Sequence, residues 1–259
     1  MKPINLLLAI AIIGVLAVTS YAQSFITNGL VAYYPFNGDA SDASGHGNDG
    51  VIYGGVALAP DRFGSNDSAY TFNGEDGYID IGNPVGNSPA YLTETAWVNI
   101  ISRETVGTVP EDVIITKRQT GNVGSGWPDL AVKSSGQNAG AGEIIIDADG
   151  YLVQYTGTTH VPTSAWCFIC EVKSNSVYQI YVNGVLETTV TNTRSLSSVE
   201  NMYLMHHGEW GTYCNGLLDD VRIYNRTLSP NENAQIFAIE GGGAPTITAQ
   251  PTECNSEYW

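Results

Sequence analysis

The stretch NGLLDDVRIYNRTLSPNENAQIF, from Asn215 to Phe237, is the most specific indicator of architecture in this chain. Its first half alternates apolar and polar residues from Leu217 to Tyr224, a pattern that predicts a β-strand with one buried face. Ser229-Pro230-Asn231-Glu232 then places a serine at a helix N-cap, a proline at the first helical position and a glutamate at the third. The stretch therefore predicts a long strand followed by one short helix.

A second stretch near the other end, GLVAYYPFNGDASDASGHGNDG from Gly29 to Gly50, also joins an apolar strand to a turn rich in carboxylates. Between the two stretches, short apolar runs alternate with turn signals. Asn183-Gly184, flanked by alternating runs, is the strongest kind of short hairpin signal. The series predicts an all-β fold, a two-sheet antiparallel β-sandwich of the jelly-roll type with one short C-terminal helix.

The two end stretches and three internal segments resemble the hallmarks of laminin-G-like jelly-roll domains of the concanavalin A-like lectin/glucanase superfamily. The internal segments are DRFGSNDSAYTFNGEDGYIDIG (61–82), TAWVNI (95–100) and VYQIYVNGVLETT (177–189). They stand in the family's order, and the resemblance covers about Leu30 to Ile239. It implies the sandwich fold but only weakly implies a function, since the same fold carries lectins, enzymes and structural modules. CFICEV (167–172) and the glycine-rich segment 121–142 depart from the family pattern.

The N-terminus reads as a targeting segment. Lys2 precedes an apolar run from Ile4 to Val18, and Ser20-Tyr21-Ala22 provides a small-x-small cleavage signal. We expect a signal peptide over residues 1–22, cleaved after Ala22, and a secreted or cell-surface protein without membrane insertion; an uncleaved anchor is the alternative. The jelly-roll domain is predicted over 23–243. Residues 244–259 resemble the opening of an immunoglobulin-like domain, which indicates either a truncated domain or a tail of a larger surface protein.

Charge favours some partners over others. Ten Lys and Arg stand against 26 Asp and Glu, and the net charge is -16. Such an acidic chain disfavours nucleic acid and anionic membranes, because both carry negative charge themselves. The balance suits neutral ligands or divalent cations, although solubility alone explains it equally well.

The four cysteines are Cys167, Cys170, Cys214 and Cys254. The spacing of CFIC is also found in redox pairs and zinc sites. It lies in an apolar strand pattern, however, where residues three apart point to opposite faces. We expect buried free thiols or one disulfide involving Cys214, and the three possible connectivities stay open.

A structural calcium ion is implied by the resemblance. In the superfamily, an aspartate just before the last strand's V-R-x-Y often binds calcium together with oxygens of the N-terminal loop, and Asp219 stands at that position. The loop offers Asp42, Asn48 and the carbonyl of His46, which are oxygen donors of the kind that Ca²⁺ prefers. The alternative is that these carboxylates cap turns through Asx hydrogen bonds.

Catalytic carboxylates are not recognisable. The superfamily's glucanases carry a strand that reads close to Glu-x-Asp-x-x-Glu, and the chain has no such motif. Glu143 and Asp147 could share one strand face, and Glu111 and Asp112 are adjacent, but a second acid at catalytic spacing does not follow either pair. We therefore expect no catalytic residues, and a glycoside hydrolase with unrecognised acids is kept as an alternative.

Carbohydrate binding is predicted from aromatic residues in loops. Sugar rings present apolar C–H faces that stack on aromatic rings, and Trp127, Trp210 and Tyr213 lie among Gly, Pro and polar residues. Trp97 and Trp166 have apolar neighbours and are predicted to lie in the core. The alternative is that the loop aromatics plug the ends of the sandwich. The sequence favours a secreted, non-catalytic module that binds a carbohydrate or glycoconjugate; a structural or adhesive surface domain that binds proteins is the other alternative.

Overall fold

A computed structural model describes residues 25–102, 111–117, 129–133, 143–147, 154–193, 197–208 and 211–242. The predicted signal peptide 1–22, the tail 244–259 and the two candidate tryptophans Trp127 and Trp210 lie outside these residues. Within the described ranges, no helix is long and apolar enough to cross a membrane.

Two antiparallel sheets stack into a sandwich, which confirms the predicted fold. The strands are β1 (Leu30–Tyr34), β2 (Val51–Tyr53), β3 (Val56–Ala59), β4 (Ala69–Asn73), β5 (Tyr78–Asp80), β6 (Tyr91–Ser102), β7 (Glu111–Thr116), β8 (Asp129–Lys133), β9 (Glu143–Asp147), β10 (Gln154–His160), β11 (Cys167–Ser174), β12 (Val177–Val182), β13 (Val185–Thr191), β14 (Tyr203–Leu204), β15 (His206–His207), β16 (Thr212–Tyr213) and β17 (Asn215–Tyr224).

The first sheet has the order β13-β12-β11-β6-β17-β4-β3, with β1 paired to β17, and the second has the order β10-β9-β8-β7-β14-β5-β2. The hairpin β15–β16 forms a separate two-stranded sheet. Strands from the two ends of the chain, β1 and β17, are thus direct neighbours. The two stretches that are most informative in the sequence are therefore far apart along the chain but adjacent in the fold.

Side-chain alternation divides the apolar residues between two clusters. Cys167 and Ile169 of β11 face the main core between the sheets, whereas Phe168 and Cys170 belong to a smaller cluster on the outer face. Trp97 of β6 belongs to this smaller cluster and is buried, as predicted. The expectation that the two cysteines of CFIC point to opposite faces is confirmed.

Helix α1 (Pro230–Phe237) covers the smaller cluster, and its predicted capping box is confirmed. The backbone N–H of Glu232 donates to Ser229 Oγ at 3.3 Å, and the backbone N–H of Ser229 donates to the Glu232 carboxylate at 2.7 Å. Phe237 stacks on Trp97 with ring centroids 5.6 Å apart. A π-helical turn, Ala238–Gly242, follows the helix and carries the chain past the end of the sheet.

The hairpin between β12 and β13 turns at Asn183-Gly184, as predicted. Both residues have positive φ, 48° and 75°, as a two-residue type I′ turn requires. Asn183 also accepts a hydrogen bond from the backbone N–H of Phe168 at 3.0 Å. The turn is thereby attached to β11 beside helix α1.

Candidate functional site

Four neighbouring rings lie in contact beside the edge strand β2 of the second sheet, and we call them the aromatic column: Tyr53, Tyr78, His206 and Tyr213. Tyr53 and Tyr78 are nearly parallel, with centroids 4.7 Å apart and an interplanar angle of 9°. The His206 ring centroid lies 4.8 Å from that of Tyr78 and 4.5 Å from that of Tyr213, and the Tyr78 and Tyr213 centroids are 6.2 Å apart, so these three rings form a triangle. Tyr203 packs edge-on against both Tyr78 and His206. The result is a continuous aromatic surface built from four strands and flanked by a fifth.

Strand register brings these rings together. Tyr53 and Tyr78 are directly opposite in the β2–β5 pairing, and His206 and Tyr213 are opposite in the β15–β16 hairpin. Ile79, between Tyr78 and Asp80, is fully buried in the main core. Because alternate residues of a strand point to opposite faces, Tyr78 points away from the core. The column therefore lies on the outer side of the sandwich.

Parts of the column are open to solvent. All three residues of β2 are exposed, and the Tyr53 side chain is 43% exposed. In a stack of rings, the end faces and the edges, with their hydroxyl groups, are the surfaces available to a ligand. Burial raises the pKa of Tyr78 and of Tyr203, with further upward contributions from neighbouring phenols and from Asp80. These hydroxyls stay protonated at neutral pH and can donate hydrogen bonds.

His206 is held in one tautomer. Its Nδ1 lies 3.1 Å from the carbonyl oxygen of Thr212, so Nδ1 carries the proton that is donated to this acceptor. Burial lowers the pKa of His206, and the bond to Thr212 opposes that effect only in part. The neutral ring therefore keeps Nε2 as a hydrogen-bond acceptor in the middle of the column.

Short polar side chains border the column. Asp80 lies opposite Tyr203 in the β14–β5 register and accepts a hydrogen bond from Asn201 Nδ2 at 3.0 Å. Asp76 accepts from the backbone N–H of Gly55, two residues after Tyr53, at 2.9 Å. Aromatic faces beside carboxylate and amide groups can contact both the apolar and the hydroxyl surfaces of a polar, ring-shaped ligand.

Of the ligand-binding residues predicted from the sequence, Tyr213 lies in the aromatic column, while Trp127 and Trp210 fall outside the described residues. The sequence analysis missed Tyr53, Tyr78, Tyr203 and His206. For the Tyr53–Tyr78 pair a signal exists, because both are aromatic residues at strand edges beside Gly-rich turns. Tyr203 and His206 carry no comparable signal, since the pairing that brings them to the column is long-range.

The predicted metal ligands of the N-terminal loop are bonded to backbone amides. Asp42 Oδ1 accepts from the N–H groups of Tyr33 and Ser44 at 2.9 and 2.8 Å, and Oδ2 accepts from Asn48 N–H at 3.0 Å. Burial alone would raise the pKa of Asp42, but these hydrogen bonds outweigh it and the pKa is lowered. His46 N–H donates weakly to Ser44 Oγ at 3.3 Å. Asp42 has the Asx-turn geometry that was the alternative to calcium.

Asp219 lies in a different set of contacts. Its carboxylate pairs with Arg62 Nη1, and Arg62 Nη2 lies 2.7 Å from Asp220 Oδ2. The pKa of Asp219 is raised to about 7, because burial and the charge of Asp220 together outweigh the opposing effect of Arg62. The Arg62 guanidinium thus occupies the side of the carboxylates that a metal ion would need.

The predicted calcium ligands are bonded to other groups of the protein. Within the described ranges, no group of three or more His, Cys, Asp or Glu side chains is arranged to hold a metal. Tyr33 links the two parts of the predicted site, because its N–H donates to Asp42 and its hydroxyl donates to Asp220 at 2.5 Å. Calcium binding at Asp42, His46, Asn48 and Asp219 stays a prediction, and Arg62 is its competitor.

The carboxylates weighed as catalytic groups are only partly described. Glu143 and Asp147 are the first and last residues of β9, and their side chains lie outside the part of the chain that the structure describes. A different pair is visible in the core: Glu94 of β6 and Glu171 of β11 are directly opposite in register, and both are fully buried. Among the described residues neither oxygen of Glu171 has a hydrogen-bond partner. Burial raises the pKa of Glu171, and the charge of Asp129 adds to the rise.

Comparisons with known proteins agree on the fold. The family model of the concanavalin A-like lectin/glucanases superfamily matches residues 73–233. One similar structure is domain 4 of AbnA, an extracellular GH43 arabinanase from Geobacillus stearothermophilus, solved in complex with arabinotriose. It is 22% identical to this chain with a TM-score of 0.61, and the match covers 80% of this chain and 97% of that one. No curated protein sequence matches the chain.

Two toxin domains are also similar in structure. The binding domain of Paraclostridial Mosquitocidal Protein 1 is 16% identical with a TM-score of 0.64, over 83% of this chain and 53% of that one. The second is a structure of botulinum neurotoxin type C, a toxin whose cell entry is described as dependent on interaction with two ganglioside molecules. It is 15% identical to this chain with a TM-score of 0.61, and the match covers 84% of this chain and 52% of that one. The chain spans about half the length of these two toxin structures, and the likeness concerns the fold.

Proposed function

This chain belongs to the concanavalin A-like lectin/glucanase superfamily, and we propose that it is a secreted, non-catalytic domain that binds carbohydrate. The aromatic column is the observation that carries the proposal. Stacked rings with one 43% exposed tyrosine, protonated hydroxyls and a fixed imidazole acceptor form a surface suited to a sugar. Aromatic side chains bind through large, rigid faces at low entropic cost.

The similar structures support the proposal by analogy. One is described in complex with arabinotriose and another by its interaction with gangliosides, so the same fold carries saccharide recognition in proteins of other organisms. Fold likeness does not transfer a ligand, because one fold hosts many functions. The argument for this chain therefore rests on Tyr53, Tyr78, His206 and Tyr213.

Alanine substitutions in the column are expected to weaken glycan binding. We expect Tyr53→Ala and Tyr213→Ala each to raise the dissociation constant about tenfold, equivalent to about 1.4 kcal/mol, because each removes one ring of the aromatic surface. The measurement is a glycan array followed by titration calorimetry on the strongest ligand, with arabino-oligosaccharides and ganglioside headgroups included. Tyr91→Ala is the matched control, since Tyr91 is 47% exposed and lies on β6 of the other sheet.

The alternatives give different results in the same measurements. Turnover of a polysaccharide panel that is abolished by Glu143→Gln or Asp147→Asn would identify an enzyme. Capture of a protein ligand with no response on the glycan array would identify an adhesive domain. Equal affinities of Tyr53→Ala, Tyr213→Ala and the wild type would show that the column is not the binding surface.

Calcium is a separate proposal for the loop of Asp42 and the end of β17. A metal that binds only the folded protein raises the melting temperature as its concentration increases. We expect thermal unfolding to shift upward in calcium relative to chelator, with the shift reduced in Asp219→Ala. Identical melting temperatures in both conditions would contradict a calcium ion at this site.

A further inference from the structure

The charges that surround the aromatic column are negative. Asp80 pairs in register with Tyr203, Asp76 contacts the turn that follows Tyr53, and the charge of Glu200 acts on Tyr203. Asp76 is fully exposed, so its carboxylate faces solvent beside the exposed end of the column. A ligand at the column approaches three carboxylates.

The described cations are committed elsewhere. Arg62 and Arg222 are paired with Asp219 and Glu240 beneath the C-terminal turn, and Arg226 pairs with Glu232 of helix α1. Lys117 is buried and donates to Asn83, and the Lys173 ammonium donates to the carbonyl of Pro89 at 2.7 Å. Among the Lys and Arg side chains that the structure describes, none reaches the column.

The one basic group within the column is uncharged. His206 donates from Nδ1 to a carbonyl and is stacked between Tyr78 and Tyr213, and burial keeps the imidazole in its neutral form. An anionic group at the column would therefore meet a hydrogen-bond acceptor at Nε2 and carboxylates around it. A hydroxyl group of an uncharged sugar would instead donate a hydrogen bond to His206 Nε2.

We propose that the column selects uncharged saccharides and discriminates against glycans that carry sialic acid, uronic acid or sulfate. The inference rests on the proposed function and specifies its ligand class. It separates this chain from its structural neighbour whose description names gangliosides. Selectivity here comes from repulsion as much as from attraction, which is a common route to specificity.

The test uses an array of matched pairs, in which one neutral oligosaccharide carries or lacks a terminal sialic acid or sulfate. At about 0.01 M ionic strength, where the Debye length is about 30 Å, we expect the purified protein to bind the neutral member about tenfold more tightly. At about 1 M, where the Debye length is about 3 Å, the ratio is expected to approach one. Neutral ligands should show little dependence on salt.

Variants that remove negative charge test whether the preference for neutral glycans arises at the column. The double variant Asp80→Asn, Glu200→Gln is expected to reduce the low-salt ratio of neutral-ligand to charged-ligand affinity at least threefold. Asp67→Asn is the control, since Asp67 is exposed at the far end of the β3–β4 hairpin and asparagine tolerates its φ of 56°. A low-salt preference for the sialylated or sulfated member, or an unchanged ratio in the double variant, would overturn the inference. Absence of binding to every glycan by the folded protein would instead overturn the proposed function.

Discussion

Replacement of Arg62 by alanine is expected to lower the free energy of unfolding by about 3–5 kcal/mol, the usual cost of removing one partner from a buried ion pair. Arg62 pairs with Asp219 and Asp220, and both Nε and Nη2 donate to the carbonyl of Glu240 at 2.9 and 2.7 Å. Its guanidinium also lies 4.7 Å from the Trp97 ring centroid. Without it, the buried Asp219 carboxylate loses its ion-pair partner, whereas Asp220 keeps the Tyr33 hydroxyl at 2.5 Å and Arg222 Nη2 at 3.9 Å.

Urea unfolding at neutral pH measures this loss, and Arg226→Ala is the matched control. Arg226 pairs with Glu232 at 2.8 Å, but both side chains are 21% exposed, so its removal is expected to cost only about 1 kcal/mol. Adding Asp219→Asn to Arg62→Ala should recover part of the loss, because the buried carboxylate that has lost its ion-pair partner is replaced by a neutral amide. Similar losses for the two arginine variants would contradict the assignment.

The second large effect concerns Glu171 and alkaline pH. Its carboxyl group is fully buried opposite Glu94, and burial raises its pKa above the ordinary value of 4.5. A raised folded-state pKa means that stability is fully present below 4.5 and is lost as pH rises through the folded pKa. The side chain of the Glu171→Gln variant cannot ionise. The difference in free energy of unfolding between this variant and the wild type is therefore expected to shift in favour of the variant by about 2 kcal/mol or more from pH 5 to pH 9.

Other groups titrate nearby, so the comparison is between variants at each pH. Burial lowers the pKa of Lys117 to about 8 and also lowers that of Lys173, and these shifts act in the opposite direction to that of Glu171. Glu187→Gln is the control: hydrogen bonds from Thr158 and Thr159 outweigh its burial and lower its pKa. That variant should lose stability above pH 4.5, and an alkaline gain in it, or none in Glu171→Gln, would contradict the prediction.

Local patterns predicted most of the fold. The capping box at Ser229 and the turn at Asn183-Gly184 are specified by residues adjacent in sequence, and both are confirmed. The opposite orientations of Cys167 and Cys170 follow from strand periodicity alone. In each case the deciding interaction lies within a few residues, where sequence patterns are informative.

The candidate site was harder to predict because long-range register creates it. Tyr53 meets Tyr78 through the β2–β5 pairing, and His206 reaches Tyr78 from a hairpin more than a hundred residues later in the chain. The pairing of Arg62 with Asp219 was equally hard to predict, because no residue near Arg62 in the sequence indicates it. Residues that act together across the chain carry no shared local pattern, whereas Tyr213 was identified because its own loop is aromatic and polar.

The three described cysteines provide internal reporters of conformational opening. Cys167, Cys170 and Cys214 are buried, and burial raises the pKa of the first two, so the reactive thiolate is scarce in the closed protein. Cys170 lies under helix α1, with its sulfur 3.1 Å from Asn233 Oδ1, whereas the other two lie in the main core. The rate of alkylation at Cys170 therefore reports how often helix α1 separates from the sheet. The rates at Cys167 and Cys214 report how often the two sheets separate from each other.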